Sequence, residues 1–230
     1  MSDWGKVAIG TRIGEGRCDP LFFRSWQRLI LSGLRPGDAV LDPAIEMPHH
    51  FAANWLVREF LKSECDSLCL VDSDMVFQAD ALSKLRDTPA AGYSVLSALA
   101  TTRRQPISPV VLTQAGEKWV CHNDVSGDAV VEVHAATIGF CVIKRVVFGD
   151  IETCFKTGGW YFDWGPRGFG EDTLFSRRAR ECGHRIGVAP GCAIGHRGAV
   201  VWAWDTKGMR PIVIDIESQL SSFGENKQED

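Results

Sequence analysis

Residues 68–77 read Leu-Cys-Leu-Val-Asp-Ser-Asp-Met-Val-Phe, an apolar run that ends in two aspartates separated by one residue. The run has the length and composition of a buried strand. Side chains alternate between the two faces of a strand, so Asp72 and Asp74 are predicted to point the same way where the strand leaves the core. Two carboxylates that converge in this way repel each other unless a cation lies between them.

The predicted cation is Mg²⁺ or Mn²⁺, because hard divalent ions prefer oxygen ligands. When the protein supplies only two carboxylates, such an ion completes its coordination shell with water and with the phosphates of a nucleotide. The aspartate pair therefore favours a nucleotide-binding site. Solvated strand ends and helix caps also contain Asp-x-Asp pairs, and the motif alone does not separate these interpretations.

Strands and helices are predicted to alternate around this run. Asp19 and Pro20 have the types expected for an N-cap and a first helical residue. The predicted elements are a strand at 7–10, a helix at 21–31, a strand at 39–41, a helix at 50–62, the strand that bears Asp72, and a short helix that is capped by Asp80 and ends at Arg86. Such alternation predicts parallel strands whose carboxyl ends collect ligands, and Asp72 and Asp74 lie at such an end.

The second half is richer in β-type residues. The predicted strands are 93–100, 107–113, 119–122, 129–133, 138–143, 185–189 and 192–194. A basic turn is predicted at Lys144-Arg145, a binding loop at 158–170, and a helix at 171–181 that ends at Gly183. The fold class is therefore predicted to be α/β, a single domain with a mixed, mainly parallel central sheet flanked by helices.

The composition is that of an ordinary globular domain. The 230 residues are 45% hydrophobic and 23% charged, which excludes a disordered chain, and the net charge of −4 gives no overall electrostatic reason to bind nucleic acid or an anionic membrane. The eight cysteines are scattered without a Cys-x-x-Cys pair, so reduced, mostly buried thiols are expected. Without a signal-peptide pattern or eighteen consecutive apolar residues, a cytoplasmic protein with no integral membrane segment is expected.

Several motifs occur in an order that is more specific than any one of them. They are Asn54-Trp55-Leu56-Val57, the aspartate run at 70–77, Gly139 to Arg145, Gly170-Glu171-Asp172-Thr173-Leu174-Phe175, and Gly195-His196-Arg197-Gly198. Together they resemble a glycosyltransferase of family 2 with the GT-A fold, over about residues 5–198. The resemblance implies a catalytic domain at 1–200, with a nucleotide-sugar half at 1–100 and an acceptor half at 101–200. Residues 201–230 are expected to form a C-terminal extension with a disordered end.

The resemblance also implies roles for individual residues. Asp72 and Asp74 would bind a divalent metal and a nucleoside-diphosphate-sugar, and His196 would complete the metal shell. Asp172 or Glu171 would face the acceptor. An acidic first helical turn is also stabilised by the helix dipole without any catalysis, and a histidine after an apolar strand is often structural.

The chemistry of sugar transfer agrees with these roles. Negative charge builds on the departing diphosphate, and a metal ion neutralises it. An imidazole beside two carboxylates shifts the preference from Mg²⁺ towards Mn²⁺. The acceptor hydroxyl must lose its proton as it attacks, so a positioned carboxylate is needed as the base, and we expect Asp172 to be that base.

Other residues are candidates for substrate contacts. Thr11 and Arg12 follow the first strand, where nucleotide contacts are expected, and Arg12 or Arg104 could bind the diphosphate. Trp160 and Trp164 could stack on a sugar or acceptor ring, and the neighbouring Asp163 could hydrogen-bond sugar hydroxyls. Alternatively, the arginines are surface residues and the aromatic residues fill the core.

The prediction is a metal-dependent glycosyltransferase that moves a sugar from a nucleoside-diphosphate-sugar to an acceptor hydroxyl. A nucleotidyltransferase of similar fold is the first alternative, although it would be expected to carry a Gly-rich basic loop after the first strand, which residues 14–17 match poorly. A non-catalytic module that binds a nucleotide-sugar or a glycan is the second. The acceptor, whether a small molecule, glycan, protein, lipid or modified nucleic-acid base, and the stereochemistry of transfer stay open.

Overall fold

The computed structural model describes residues 4–14, 18–103, 106–115, 118–121, 125–165, 170–197, 201–207 and 210–213. Its helices are α1 (Pro20–Ser32), α2 (His49–Lys62), α3 (Ala81–Asp87), α4 (Arg145–Phe155) and α5 (Glu171–Glu181). The strands of the first half are β1 (Val7–Ile13), β2 (Ala39–Val40), β3 (Ala44–Ile45), β4 (Ser67–Asp72), β5 (Met75–Val76) and β6 (Tyr93–Leu99). Those of the second half are β7 (Val111–Ala115), β8 (Lys118–Cys121), β9 (Val131–Val133), β10 (Ala135–Ala136), β11 (Phe140–Lys144), β12 (Arg185–Ala193), β13 (Gly195–Arg197), β14 (Val201–Asp205) and β15 (Arg210–Val213).

The central sheet has the strand order β2-β1-β4-β11-β6-β12-β9, and β3 pairs with β1 outside this path. Strand β1 is parallel to β2, β3 and β4, and β6 is parallel to β12. Strand β11 is antiparallel to both of its neighbours, and β9 is antiparallel to β12. The predicted α/β domain with a mixed, mainly parallel sheet is thus confirmed. The two closing strands predicted at 185–189 and 192–194 form one strand with an irregular register.

A separate apolar core lies on each face of this sheet. The even-numbered residues Ala8, Leu68 and Leu70 pack into the core that α2, α4 and α5 complete. The odd-numbered neighbours in the same strands face the other core, together with α1 and α3. Because side chains alternate along a strand, Arg12 and Asp72 continue the even series and lie on the side of α2 and α5.

The first strand is longer than predicted, and the aspartate run is shorter. Strand β1 continues to Ile13, so it includes Thr11 and Arg12. Strand β4 ends at Asp72, and a turn at Ser73 and Asp74 leads into β5. The prediction that both aspartates lie on one strand was therefore wrong, because β4 ends at Asp72 and Asp74 lies in the turn before β5.

Helix α4 lies where the sequence predicted only a basic turn after β11. Its residues 146–148 and 151 are Val, Val, Phe and Ile, which individually favour strands. The buried residues Val147, Phe148 and Ile151 nevertheless share one helical face, since Phe148 and Ile151 follow Val147 by one and four positions. The core between α2 and α5 therefore decides the conformation of this segment.

Asp19 and Asp80 precede α1 and α3, where helix starts were predicted. The side chain of Asp19 accepts a hydrogen bond from the backbone nitrogen of Leu21 at 2.8 Å, with Pro20 in the first helical position, as predicted. Asp80 precedes α3 at the expected place, but its side chain makes no capping hydrogen bond.

Two smaller sheets complete the described chain. One has the order β10-β7-β8, and the other has the order β15-β14-β13-β5. The second sheet contains β14 and β15 of the predicted C-terminal extension, while residues 208–209 and 214–230 lie outside the described residues. Among the helices that are described, none combines the length and the apolar character needed to cross a membrane.

Candidate functional site

Arg12 and Asp72 face each other at the carboxyl ends of β1 and β4, where the parallel register pairs them directly. The Nε of Arg12 donates to Oδ1 of Asp72 at 2.6 Å, and its Nη2 donates to Oδ2 at 2.8 Å. The third nitrogen, Nη1, lies 3.5 Å from Oε1 of Glu171 and 3.4 Å from the carbonyl oxygen of His49. One guanidinium thus connects β4 with the starts of α2 and α5.

This guanidinium is buried, with 4% of Arg12 exposed. Burial by itself would lower its pKa, but the charge and hydrogen bonds of Asp72 outweigh that effect, and the pKa of Arg12 lies above its ordinary value. A buried cation of this kind is tolerated because it is paired and hydrogen-bonded. Arg12 is therefore a permanent positive charge at the end of β1, and the alternative of a surface arginine was wrong.

Glu171 and Asp172 form the first turn of α5, where Gly170 is an N-cap without a side chain. Burial is the main cause that raises the pKa of Asp172, to about 6, and the nearby Glu171 carboxylate adds to it while Arg12 opposes it. At neutral pH Asp172 is mostly ionised, yet it is more basic than an ordinary aspartate. Such a carboxylate can accept a proton from a bound hydroxyl group.

Asp74 meets His196, which is 122 residues later in the chain, at 3.3 Å between Oδ2 and Nε2. The other ring nitrogen of His196, Nδ1, lies 2.5 Å from the carbonyl oxygen of Thr101. A carbonyl oxygen only accepts hydrogen bonds, so Nδ1 must carry the proton. In the neutral ring the lone pair of Nε2 then points at a carboxylate oxygen, and this contact is favourable only with a proton or a metal cation between the two atoms.

Arg103 also contacts this pair, since its Nη1 donates to Oδ2 of Asp74 at 2.8 Å. Burial would raise the pKa of Asp74, but His196 and Arg103 together hold it below its usual value. Asp74 therefore stays ionised, as a metal ligand must be. More than half of the Arg103 side chain is exposed, so the guanidinium can leave this oxygen without disturbing the core.

Asp74 and His196 have the chemistry of two metal ligands, and the backbone carbonyl that orients the imidazole is typical of such a histidine. In contrast, both oxygens of Asp72 are already bonded to Arg12. No group of three or more His, Cys, Asp or Glu side chains in the described part of the chain is arranged to hold a metal. A metal at Asp74 and His196 would therefore need oxygens from water or a phosphate-bearing ligand, and the predicted participation of Asp72 stays a prediction.

Backbone pairing holds the two aspartates in place. His196 in β13 lies opposite Met75 in β5, and the carbonyl oxygen of Asp74 accepts from the nitrogen of Arg197 at 2.7 Å. The nitrogen of Asp72 donates to the carbonyl oxygen of Gly139 at 2.8 Å. A Cβ at position 139 would lie 3.2 Å from Oδ2 of Asp72 and 2.3 Å from Cε of Met75, so glycine allows this close approach.

The predicted binding loop before α5 is held by the buried side chain of Asn54 in α2. Its Oδ1 accepts from the backbone nitrogens of Tyr161 and Phe162 at 2.9 and 3.0 Å, and its Nδ2 donates to the carbonyl oxygen of Phe162 at 2.7 Å. Arg178 of α5 donates to the carbonyl oxygens of Trp160 and Tyr161. The part of the loop next to the site is therefore rigidly attached to α2 and α5.

The aromatic residues of this loop divide into two groups. Tyr161 and Phe162 are buried in the core, whereas Trp164 is 59% exposed and Trp160 is half-buried. The ring of Trp160 packs edge-on against Phe51 with centroids 4.8 Å apart, and Trp164 lies 6.5 Å from the ring of His50. We call His50, Phe51, Trp160 and Trp164 the aromatic cluster. It adjoins His49, which Arg12 contacts.

The remaining predicted site residues are Thr11, Asp163 and Arg104. Thr11 is buried on the opposite face of β1 from Arg12, and its hydroxyl has no hydrogen-bond partner within the described ranges. Asp163 is exposed and its Oδ1 accepts from the nitrogen of Trp164. Arg104 lies outside the described residues. Their roles in substrate binding stay predictions.

Sequence reasoning missed several contributors to the site. Arg103 donates to Asp74, and Thr101 orients His196 through its backbone carbonyl. Phe51, which is 44% exposed, belongs to the aromatic cluster. A backbone carbonyl leaves no signal in the sequence, whereas the Arg-Arg pair at 103–104 and the His-His-Phe run at 49–51 were visible signals.

No protein-family description matches the sequence, and no curated protein matches it either. Solved structures do match, with 149 chains found. The structure titled "Crystal Structure of A197 from STIV" has a TM-score of 0.55 and 17% identity, over 91% of this chain and 94% of that chain. The inositol-1-phosphate CTP transferase from T. maritima has a TM-score of 0.45 and 12% identity, over 83% of this chain and 87% of that chain. The first likeness shows a shared fold alone, and the second is too distant to carry an argument.

Proposed function

We propose that this chain is a metal-dependent glycosyltransferase that moves a sugar from a nucleoside-diphosphate-sugar to an acceptor hydroxyl. The observation that supports it most is the contact between Asp74 and His196, 3.3 Å apart although 122 residues separate them in the chain. Because Nδ1 of His196 faces the carbonyl oxygen of Thr101, Nε2 faces the carboxylate of Asp74, and a metal ion could take the place of a proton between the two atoms.

On the donor side, Asp74 and His196 would hold Mn²⁺ or Mg²⁺, which when bound neutralises the charge that builds on the departing diphosphate. Arg12 uses one lone pair on each oxygen of Asp72 and fixes the plane of that carboxylate. The remaining lone pairs of Asp72 can accept hydrogen bonds from hydroxyl groups of the donor. Arg103, once displaced from Asp74 by the metal, is long enough and exposed enough to pair with a phosphate.

On the acceptor side, Asp172 would remove the proton of the attacking hydroxyl, since its pKa of about 6 makes it a better base than an ordinary aspartate while leaving it ionised at neutral pH. Trp160 and Trp164 would bind the apolar face of the acceptor, and the exposed Asp163 would accept from its hydroxyl groups. In this proposal residues 1–100 carry the nucleotide and residues 101–200 carry most of the acceptor site.

The test is to incubate the chain with a panel of nucleoside-diphosphate-sugars and Mn²⁺ and to measure released nucleoside diphosphate. Asp172→Asn should lower turnover roughly 10²-fold or more while donor binding persists. His196→Ala should weaken Mn²⁺ binding by at least roughly 10-fold. Glu132→Gln serves as the matched control, because Glu132 is exposed and pairs only with Arg185 among its ion-pair partners in the described chain.

The same experiment separates the alternatives. Release of pyrophosphate from a nucleoside triphosphate and a sugar phosphate would replace the proposal with a nucleotidyltransferase. Donor binding that Asp172→Asn leaves intact, without turnover in the unaltered chain, would indicate a binding module. If no donor binds and none turns over with Mn²⁺ present, the proposal is wrong.

A further inference from the structure

Two cysteines meet where α4 and α5 end. Cys154 is exposed in the last turn of α4, and Cys182 is half-buried at the C-cap of α5. The Cys154 thiol lies near enough to the Cys182 thiol to contribute to the raised pKa of Cys182. These thiols therefore approach from two different helices, although 28 positions separate them in the chain.

A second contact holds the same helix ends in register. Asp150 lies one turn before Cys154 on α4, and its Oδ2 is 3.1 Å from Nε2 of His184. His184 follows Gly183, whose φ of +89° reverses the chain directly after Cys182. The turn after α5 thus places Cys182 and His184 beside the end of α4.

The other described cysteines differ from this pair. Cys65, Cys69, Cys141 and Cys192 are buried, and burial raises the pKa of the Cys192 thiol to about 12. Buried thiols with so little thiolate are unreactive. Cys18 is exposed, but its only described hydrogen-bond partner is the carbonyl oxygen of Asp19. Among the described residues, Cys154 is therefore the exposed thiol that has a second thiol within reach.

We propose that Cys154 and Cys182 form a thiol-modification site that reacts with a small disulfide of the glutathione class and closes into an intramolecular disulfide. The Cys154 thiolate attacks one sulfur of glutathione disulfide and expels one glutathione thiolate. Cys182 then attacks the sulfur of Cys154, and the second glutathione thiolate leaves. The two protein thiols give up two electrons and two protons, and the reagent takes them up as two glutathione thiols.

The structure sets the order of these two steps. Burial is the main cause that raises the pKa of Cys182, to about 11, and the neighbouring Cys154 thiol adds to it, so Cys182 carries little thiolate. Since the thiolate is the nucleophile, the exposed Cys154 reacts first and Cys182 resolves the mixed disulfide. The reaction is accordingly expected to accelerate as the pH rises.

The disulfide would close a loop that runs from 155 to 181. This loop contains Asp163, the two tryptophans of the aromatic cluster and the whole of α5, with Glu171 and Asp172 in its first turn. Cross-linking restricts the unfolded chain and so stabilises the folded loop. The inference stands on the two helix ends alone and does not depend on the proposed glycosyl transfer.

The experiment treats the full chain carrying Cys18→Ser with glutathione disulfide at pH 8. We expect the intact mass to fall by two hydrogens and the tryptic peptides 146–156 and 181–185 to be joined. The melting temperature should rise by about 5–10 °C, and a reducing agent should reverse each change. Hydrogen exchange of the backbone amides at 157–165 should slow in the oxidised protein.

Cys154→Ser and Cys182→Ser in the same background are the matched variants. Each should keep the melting temperature of the reduced protein within about 2 °C, because a serine replaces an exposed or half-exposed thiol, and each should lose the linked peptide. Stable glutathione adducts on Cys154 without a link to Cys182 would overturn the proposal. A disulfide between other cysteines would overturn it as well.

Discussion

Arg12 illustrates how one residue sets the electrostatics of the whole site. It is 4% exposed, it holds both oxygens of Asp72, and it reaches the acidic turn of α5. Its positive charge partly offsets the burial of Asp172, whose pKa nevertheless rises to about 6. A single guanidinium therefore allows three carboxylates to lie close together at the edge of the sheet.

The raised pKa of Asp172 predicts how stability depends on pH. The folded protein holds this proton up to about pH 6, whereas the unfolded chain releases it near 3.8, so the folded state binds more protons between these values. The free energy of unfolding should therefore fall as the pH rises from about 4 to about 7. Asp172→Asn should remove this part of the decline, which urea unfolding at several pH values can measure.

Asp163→Asn is the control for this titration, because Asp163 is exposed. It should leave the pH dependence of the unfolding free energy as it is in the unaltered chain. If Asp172→Asn has the same pH profile as Asp163→Asn, the environment deduced for Asp172 is wrong.

Arg103 is predicted to compete with a metal for Asp74. Its pair with Asp74 is largely exposed and is worth about 0.2–1 kcal/mol, so Arg103→Ala should tighten Mn²⁺ binding by roughly 2–5-fold. Calorimetric titration with Mn²⁺ in the absence of any donor measures this directly. Arg177→Ala, which removes an exposed arginine that pairs with Glu181, should have no effect. An unchanged Mn²⁺ affinity in Arg103→Ala would show that the arginine does not occupy the metal position.

At the scale of secondary structure, side chains of one element hydrogen-bond to backbone groups that have no partner within their own helix or loop. Arg145, the first residue of α4, donates to the carbonyl oxygens of Phe60, Ser63 and Cys65 at the end of α2. Its guanidinium also lies over the ring of Phe60, 4.4 Å from the centroid. The residue that was predicted to form a basic turn therefore caps one helix and begins another.

The side chain of Asn54 likewise hydrogen-bonds to backbone groups of the loop before α5. Asn54→Leu keeps a similar volume but leaves the backbone nitrogens of Tyr161 and Phe162 without their acceptor. We expect a loss of about 3 kcal/mol in the free energy of unfolding, because several buried polar groups lose their partners at once. Urea unfolding measures the loss. The exposed Arg58 on the same helix is the control, and Arg58→Ala should change the value by no more than about 0.5 kcal/mol.

At the scale of the whole molecule, a buried ion pair ties α3 to the edge of the sheet opposite the site. The Nη1 of Arg86 donates to Oδ2 of Asp38 at 2.7 Å, and the two side chains are 4% and 1% exposed. The Nη2 of Arg86 donates to the carbonyl oxygen of Gly5, and Oδ1 of Asp38 accepts from the nitrogen of Val7. The start of β1 and the turn before β2 are thereby fixed to one helix.

Breaking this pair should destabilise the entire domain. Arg86→Met is expected to lower the free energy of unfolding by about 3–5 kcal/mol, because it leaves the carboxylate of Asp38 buried without its cation. Chemical unfolding gives the value. Lys84→Met, which removes an exposed pair with Asp80 on the same helix, should cost less than about 1 kcal/mol. Similar losses in both variants would contradict the view that burial makes the Arg86 pair different.

Local sequence predicted much of this architecture. Some elements can be predicted because their signals lie within a few neighbouring residues. These signals are the apolar run of β4, the Asp-Pro start of α1, and the acidic first turn and terminal glycine of α5. The structure has all three elements where they were predicted. The missed helix α4 shows the opposite case, because its β-branched residues become helical only when Val147, Phe148 and Ile151 can pack against α2 and α5.

The sequence by itself determined most of the strands and helices, α4 excepted, and the set of polar residues at the carboxyl end of β4, because these depend on periodicity, caps and turns within a few residues. Only the tertiary structure decided which partner each aspartate received. Arg12 lies 60 positions from Asp72, and His196 lies 122 positions from Asp74. The turn at Ser73 and the carbonyl of Thr101 direct these contacts. Such pairings arise from sheet order and backbone geometry, which no local pattern of side chains encodes.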